Sequence, residues 1–320
     1  MSANIATGCI YAGSEIGGRY EGVVSAYRYD AAGRRLRYIN AQPTVGSLTA
    51  HVSLDREGRH LFATNYGGMP AGEGPDRAVV IYALRENGGL DAPGSGIGLS
   101  GCGPNPARQE RSHPHCSQPS PDGRFLAVAD LGLDAVVSYA YGPQGRCSTA
   151  PVATLKLPPG AGPRHLAFHP DGGRAVVICE LDSTVTSLRF DIDTGMFEMV
   201  HILSTVSPGS NAGNHPSDVL FDPNGRFVYG ANRGPDTIVV LPMEVETGRL
   251  LTVAHQSRGG RTPRHLSIES SGRFPIVANQ DSDQLSVFSI DELTGTLGRV
   301  ASIPVGTPMC AVFFRPFPVG

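Results

Sequence analysis

The chain has 320 residues, 40% of them hydrophobic and 17% charged, with 41 glycines and 26 prolines. Glycine and proline together make up about a fifth of it, too much for a helical bundle and too little for a low-complexity disordered chain. A net charge of −3 and a pI near 6.4 give no global field that would draw nucleic acid or an anionic membrane. The longest apolar runs, such as Ala135–Ser138 and Ile238–Pro242, are strand-length and far short of the ~20 residues of a membrane-spanning helix.

The first residues, MSANIATGCIYAG, lack the basic flank and apolar core of a signal peptide. Six cysteines (Cys9, Cys102, Cys116, Cys147, Cys179, Cys310) show no CxxC pairing and are expected to be reduced thiols, which points to the cytoplasm. In chain order, residues 8–40 carry three strand-like segments, GCIYAG, GVVSAYRYD and RLRYI. A repeat then runs through the chain. Its copies read DREGRHLFATNY from Asp55, SPDGRFLAVADL from Ser120, HPDGGRAVVICEL from His169, DPNGRFVYGANR from Asp222 and ESSGRFPIVANQ from Glu269. Each is a turn closed by a glycine (Gly58, Gly123, Gly172, Gly225, Gly272) and followed by an apolar strand.

A short strand precedes each turn (AHVSL, RHLAF, SDVLF, RHLSI), and a third follows (AVVIYAL, AVVSYAY, TVTSLRF, TIVVLPM, LSVFSI). Several units then turn again at Asp-x-x-Thr-Gly, as at Asp191–Gly195 and Asp291–Gly295, before a fourth strand. Four short antiparallel strands per unit, with no helical stretch between them, is the pattern of propeller blades. Asp91–Ser112 reads as an inserted loop. Pro308–Phe314 reads as an orphan first strand that pairs with the N-terminal strands and closes the ring. The expectation is an all-β, six-bladed β-propeller forming one domain over residues 1–320.

Residues entering the first strand and leaving the second should share one end of the central channel. Entering are Ala50-His51, His115-Cys116, Arg164-His165, Ser217-Asp218, Arg264-His265 and Met309-Cys310. Leaving are Asn65-Tyr66, Asp130-Leu131, Cys179-Glu180, Asn232-Arg233 and Asn279-Gln280. Strand ends are solvated and tolerate polar residues, and Asp130, Asn232 and Asn279 are good turn formers. Arg164, Arg264 and Arg233 converging with only Glu180 and Asp130 nearby nevertheless read as an anion site, because guanidinium offers a fork of donors matched to carboxylate or phosphate. The pair His113/His115 has no third ligand at fixed spacing, so no metal is expected. There is no GxSxG elbow, no nucleotide-binding glycine loop and no basic stripe with stacking aromatics.

The segments HPHCSQPSPDGRFLAVADLGLD, GPRHLAFHPDGGRAVVICELDSTV, HPSDVLFDPNGRFVYGANRGPDTIVV and TPRHLSIESSGRFPIVANQDSDQLSVF resemble the lactonase-type β-propeller family. That family holds bacterial 6-phosphogluconolactonases and fungal carboxy-cis,cis-muconate cyclases. The resemblance implies a propeller without an obligatory cofactor that acts on lactones or the acids that form them. It assigns catalysis to His115, Arg164, Glu180 and Arg233, all reached above from repeat positions. The family is typically seven-bladed; AHVSLDREGRHLFATNY looks like its third blade, so one early blade is missing here. Gly103–Arg111, with Arg108 and Gln109, resembles a family loop that reaches the pocket.

On this reading Glu180 or His115 moves the proton, while Arg164 and Arg233 hold the substrate's anionic group and the developing oxyanion. His51, Asn65, Tyr66, Arg108, His113, Asp130, Arg264 and Gln280 are the expected substrate-binding residues. The expected partner is a small anionic lactone or sugar acid. Lactone hydrolysis leads. A cycloisomerase of a carboxylated muconate, a metal-dependent propeller lactonase and a non-catalytic WD-type scaffold are the alternatives.

Overall fold

A computed structural model describes residues 1–18, 21–67, 76–207, 209, 213–252, 254–257 and 259–314. Among these, the strands form six antiparallel sheets, and the one helical element is a three-residue 3-10 turn at Gln280–Ser282. The chain divides into two compact units, Met1–Thr154 with Phe314 and Leu155–Phe313.

The first unit holds three sheets. The first is built from Ser2–Asn4, Cys9–Gly13, Val23–Asp30 and Arg35–Pro43, and the second from Ser47–Leu54, His60–Gly67, Val79–Ala83 and Gly96–Ile97. The third has Pro114–Pro119, Phe125–Asp130 and Ala135–Gly142, with Arg146–Cys147 and Ala153–Lys156 against its third strand. In the second unit, the fourth sheet comprises Pro163–Phe168, Arg174–Cys179, Thr184–Phe190 and Phe197–Ser204. The fifth comprises His215–Phe221, Phe227–Arg233, Thr237–Pro242 and Ala254–Ser257, and the sixth Pro263–Ile268, Pro275–Asn279, Gln284–Ile290 and Leu297–Pro304. Meandering four-stranded sheets of this kind are propeller blades.

The repeat glycines act as expected. Gly58, Gly123, Gly172, Gly225 and Gly272 all have φ between +64° and +79°, a conformation costly for residues with a Cβ. The N–H of each donates to the carbonyl three residues earlier, for example Gly225 to Asp222 at 2.9 Å, so the hairpin is a turn followed by one left-handed residue.

Strand alternation then sorts side chains between neighbours. In the second sheet, Phe62, Val79 and Ile81 pack toward the third sheet, while Leu61, Ala63, Val80 and Tyr82 pack toward the first. The fifth sheet does the same in its unit, with Val228, Val239 and Leu241 on one face and Phe227, Tyr229, Ile238 and Val240 on the other. Burying each such side chain contributes about 1.5–3 kcal/mol. This two-sided burial explains why the inner strands read as continuous apolar runs.

Two expectations need correction. The first sheet takes its first strand from Ser2–Asn4, in the register Ser2↔Tyr11, Ala3↔Ile10 and Asn4↔Cys9; Pro308–Phe314 forms no strand. A local hairpin across residues 5–8 has a far smaller closure entropy than pairing with a segment some 300 residues away. Asn4 also anchors it, donating from Nδ2 to Gly58 O at 3.0 Å. The second correction concerns the insertion: Asp91–Ser112 is not all loop, because Gly96–Ile97 supplies the fourth strand of the second sheet by pairing with Val79–Val80.

Candidate active site

Among the described residues, five first-to-second strand pairs carry a register irregularity at one equivalent place. The pairing skips a residue between Thr49 and His51, Pro114 and Cys116, Pro163 and His165, Pro216 and Asp218, and Pro263 and His265. The bulged residues are therefore Ala50, His115, Arg164, Ser217 and Arg264. A bulge takes one residue out of the ladder and re-aims its side chain, a device that recurs beside active sites. Three of the five carry the chemistry that the sequence singles out.

In the second unit, Arg164 and Arg233 close on one carboxylate oxygen. Glu180 Oε2 lies 3.0 Å from Arg164 Nε and 2.9 Å from Arg233 Nη2. Glu180 follows directly on the second strand of the fourth sheet, where its N–H donates to Gly162 O at 2.8 Å. Arg164 is 3% exposed and also donates from Nη1 to Ser217 O. Arg233 ends the second strand of the fifth sheet, and its Nε donates to His215 O at 2.7 Å. Burial, then the charges of Arg233 and Arg264, lower the Arg164 pKa to about 10 against the pull of Glu180, so it stays cationic at neutral pH. Two guanidiniums on one carboxylate leave a net positive charge, the requirement for holding an anion.

Beside the triad lies a second buried carboxylate. Asp218 Oδ1 is 2.7 Å from His165 Nδ1, and Oδ2 accepts from Leu266 N at 2.7 Å, with His265 Nε2 at 4.0 Å. Burial opposes ionisation of Asp218, but the two imidazoles and these donors pull its carboxyl far below the ordinary range.

In the first unit, Tyr66 stacks on His113 with centroids 4.5 Å apart and meets the His115 ring edge-on at 5.6 Å. His113 is committed at both ring nitrogens, with Nδ1 2.9 Å from Tyr66 O and Nε2 2.9 Å from Glu110 Oε1. Arg108 donates from Nη2 to the Tyr66 hydroxyl at 3.4 Å. Asp130 is fully buried and accepts from Ser112 Oγ (2.5 Å), His113 N (2.8 Å) and Leu133 N (3.1 Å). It therefore fastens the loop that presents the histidines. Gln109 clamps the same loop by donating from Nε2 to Leu131 O and Asp134 Oδ1, at 2.8 and 2.6 Å.

The structure thus groups Arg164, Glu180 and Arg233 in one unit, and Tyr66, Arg108, His113 and His115 in the other. Of the other expected binding residues, Asn65 serves the fold. Asn65 is 1% exposed and donates to Thr44 O and Arg77 O, at 2.7 and 2.9 Å, while Thr49 Oγ1 donates to its Oδ1. Gln280 opens the 3-10 turn, its N–H bound to Thr262 O at 3.0 Å. His51 and Arg264 are half-buried on the first strands of their sheets. The sequence marks neither Glu110 nor Ser112, and it shows His165 and His265 only as neighbours of arginines among the residues that enter the first strands. Their signal was the frame itself, since His165, Asp218 and His265 each follow a bulged residue. Among the described residues, no three His, Cys, Asp or Glu side chains are grouped to hold a metal ion.

Comparison with known proteins agrees with this architecture. The chain is 31% identical over 233 residues to a 6-phosphogluconolactonase of Bacillus subtilis, covering 73% of this chain and 63% of the relative. It is likewise 31% identical over 239 residues to a 6-phosphogluconolactonase of Pectobacterium carotovorum, covering 74% and 65%. The chain thus spans a little under two thirds of the length of these curated relatives. Among solved structures, the periplasmic gluconolactonase of Pseudomonas aeruginosa superposes with a TM-score of 0.85 at 30% identity, covering 96% of this chain and 85% of that one. A family model described as lactonase, 7-bladed beta-propeller, matches residues 1–313, against six sheets among the described residues here. A match along nearly the whole length, over sheets whose strand order and turns repeat as blades, means that the chain belongs to the lactonase β-propeller family.

Proposed function

We propose that the chain hydrolyses the lactone of a sugar acid, 6-phosphogluconolactone or a related aldonolactone, without a metal ion. The observation that carries this reading is the Arg164–Glu180–Arg233 triad, with two guanidiniums on one carboxylate oxygen. The names of the curated relatives support the reaction class. The arginine pair would draw in the phosphate of a phosphorylated lactone and stabilise the oxyanion that forms when water adds to the carbonyl. Glu180 would take the proton from that water. The proton taken by Glu180 would pass to the ring oxygen as the C–O bond breaks, which regenerates the carboxylate. Six cysteines without paired spacing fit the cytoplasm.

Each lactone opened releases one proton as its acid ionises, so proton release follows turnover directly. Purified protein is assayed with EDTA against 6-phosphogluconolactone, simple aldonolactones and muconolactones, alongside Glu180→Gln and Arg164→Ala. The expected result is EDTA-insensitive turnover that falls about 10²-fold or more in Glu180→Gln. Activity lost with EDTA and restored by a divalent ion would overturn metal independence. Silence toward every lactone would overturn the hydrolase reading and leave the binding scaffold in front.

A further inference from the structure

We propose that Asp218 is a positioning residue: a buried carboxylate that laces the bulged strands of the fourth, fifth and sixth sheets together and so fixes where Arg164 and Arg264 stand. The inference rests on reading the arginine cluster as the anion-binding part of the site. A bulge leaves its residue outside the ladder, so ladder hydrogen bonds alone do not fix where that residue sits. In all three sheets the residue after the bulge supplies the missing constraint. Asp218, 6% exposed, reaches His165 through Oδ1 at 2.7 Å and Leu266 N through Oδ2 at 2.7 Å, with His265 at 4.0 Å and its own neighbour Val219 N donating at 2.9 Å. His165 and His265 directly follow the bulged arginines.

Ser217 completes the lacing from the same dipeptide. Its carbonyl accepts from Arg164, and its hydroxyl donates to Pro263 O, at 2.6 Å, one residue before Arg264. The Ser-Asp pair of the fifth sheet therefore holds the Arg-His pairs on both sides, an anion between two cationic frames. With these donors around it Asp218 is occupied by protein groups. Its effect on chemistry passes through the arginines.

The test uses the full chain with Asp218→Asn, His165→Leu and His165→Asn. Melting temperature, kcat and KM are measured on the lactone that the wild type turns over fastest, well below each variant's transition. A crystal structure of Asp218→Asn is solved in parallel. The expected result is a kcat/KM reduced tenfold or more in Asp218→Asn and His165→Leu, with KM raised. His165→Asn, which keeps a donor near the Nδ1 position, should recover most of the loss, and the crystal structure should show the Arg164 or Arg264 bulge displaced. Wild-type kcat and KM in both Asp218→Asn and His165→Leu, with only the melting temperature lowered, would overturn the proposal. Should Asp218→Asn fail to fold, the His165→Leu and His165→Asn pair decides by the same criterion. A wild type silent on every lactone would sink the hydrolase reading separately. The crystal structure then decides alone, because unmoved bulges and an unchanged Arg164–Glu180–Arg233 triad would overturn the proposal and displaced ones would support it.

Discussion

Glu180 holds two cations, the buried Arg164 and the half-buried Arg233, with one oxygen, which makes it the residue whose loss should be felt in stability and in turnover at once. Removing the carboxylate leaves Arg164, 3% exposed, without its counter-charge, and breaking a buried pair in this way costs about 3–5 kcal/mol. Glu180→Ala should therefore lower the melting temperature sharply. Glu180→Gln, which keeps an acceptor at the same place, should lower it less while losing as much activity. Thermal melts of the two variants check this, and equal melting losses would show that charge pairing at Glu180 is a minor contribution. The same logic separates residues of similar sequence appearance. Asp130 and Asn65 looked like channel polar groups, yet Asp130 accepts from loop donors and Asn65 donates to backbone carbonyls, so each fixes a fold feature. A polar residue at a strand end carries no mark in its own sequence that distinguishes these uses.

At the scale of the element, the hairpin turns separate two costs of glycine replacement. Gly123 has φ +75° and open space around a built Cβ, so Gly123→Ala carries only the left-handed backbone cost, about 1–2 kcal/mol. Gly225 has φ +72°, and a Cβ there would also collide with the His169 ring, which itself contacts Gly225 O at 3.1 Å. Gly225→Ala should thus destabilise more than Gly123→Ala in chemical denaturation, and the reverse order would contradict the close packing of His169 on that turn. These turns were legible in the sequence because glycine at a left-handed position leaves a local chemical signature, and the apolar runs were legible because sheets cover both faces. The strand Ser2–Asn4 was not, since three residues with no β-branched or aromatic side chain carry almost no strand propensity. Nor were the bulges, because register is a relation between two strands. The positions of His115, Arg164 and Arg264 were readable from repeat alignment, but the reason they leave the ladder required the pairing itself.

For the molecule as a whole, the ion network of the second unit should shape how stability follows pH. Asp218 is held far below the ordinary carboxylate range, against burial, by His165, His265 and the Leu266 N–H. A carboxylate depressed on folding contributes stability that is present above its unfolded pKa of about 4 and is lost as pH falls toward the folded value. The two histidines work in opposite senses. Burial and the Arg164 charge push His165 down, so its contribution is present above about pH 6.5 and fades as pH falls through the lowered value. His265 is raised despite burial, through Asp218 and Cys310, so its contribution is full below about pH 6.5 and fades as pH rises through the raised value. The His165 slope lies below about pH 6.5 and the His265 slope above it, so together they place a maximum near pH 6.5, and Asp218 adds to the loss in acid. Melting temperature should accordingly peak near pH 6.5, decline on either side and fall most steeply below about pH 4. Exposed carboxylates such as Glu269, held at about 2 by donors from Ser271, add to the acid limb and remain in any variant. Asp218→Asn should start lower at pH 7 and fall less steeply through acid than the wild type. Parallel acid limbs for the two proteins would place the acid sensitivity elsewhere and remove Asp218 as its main source.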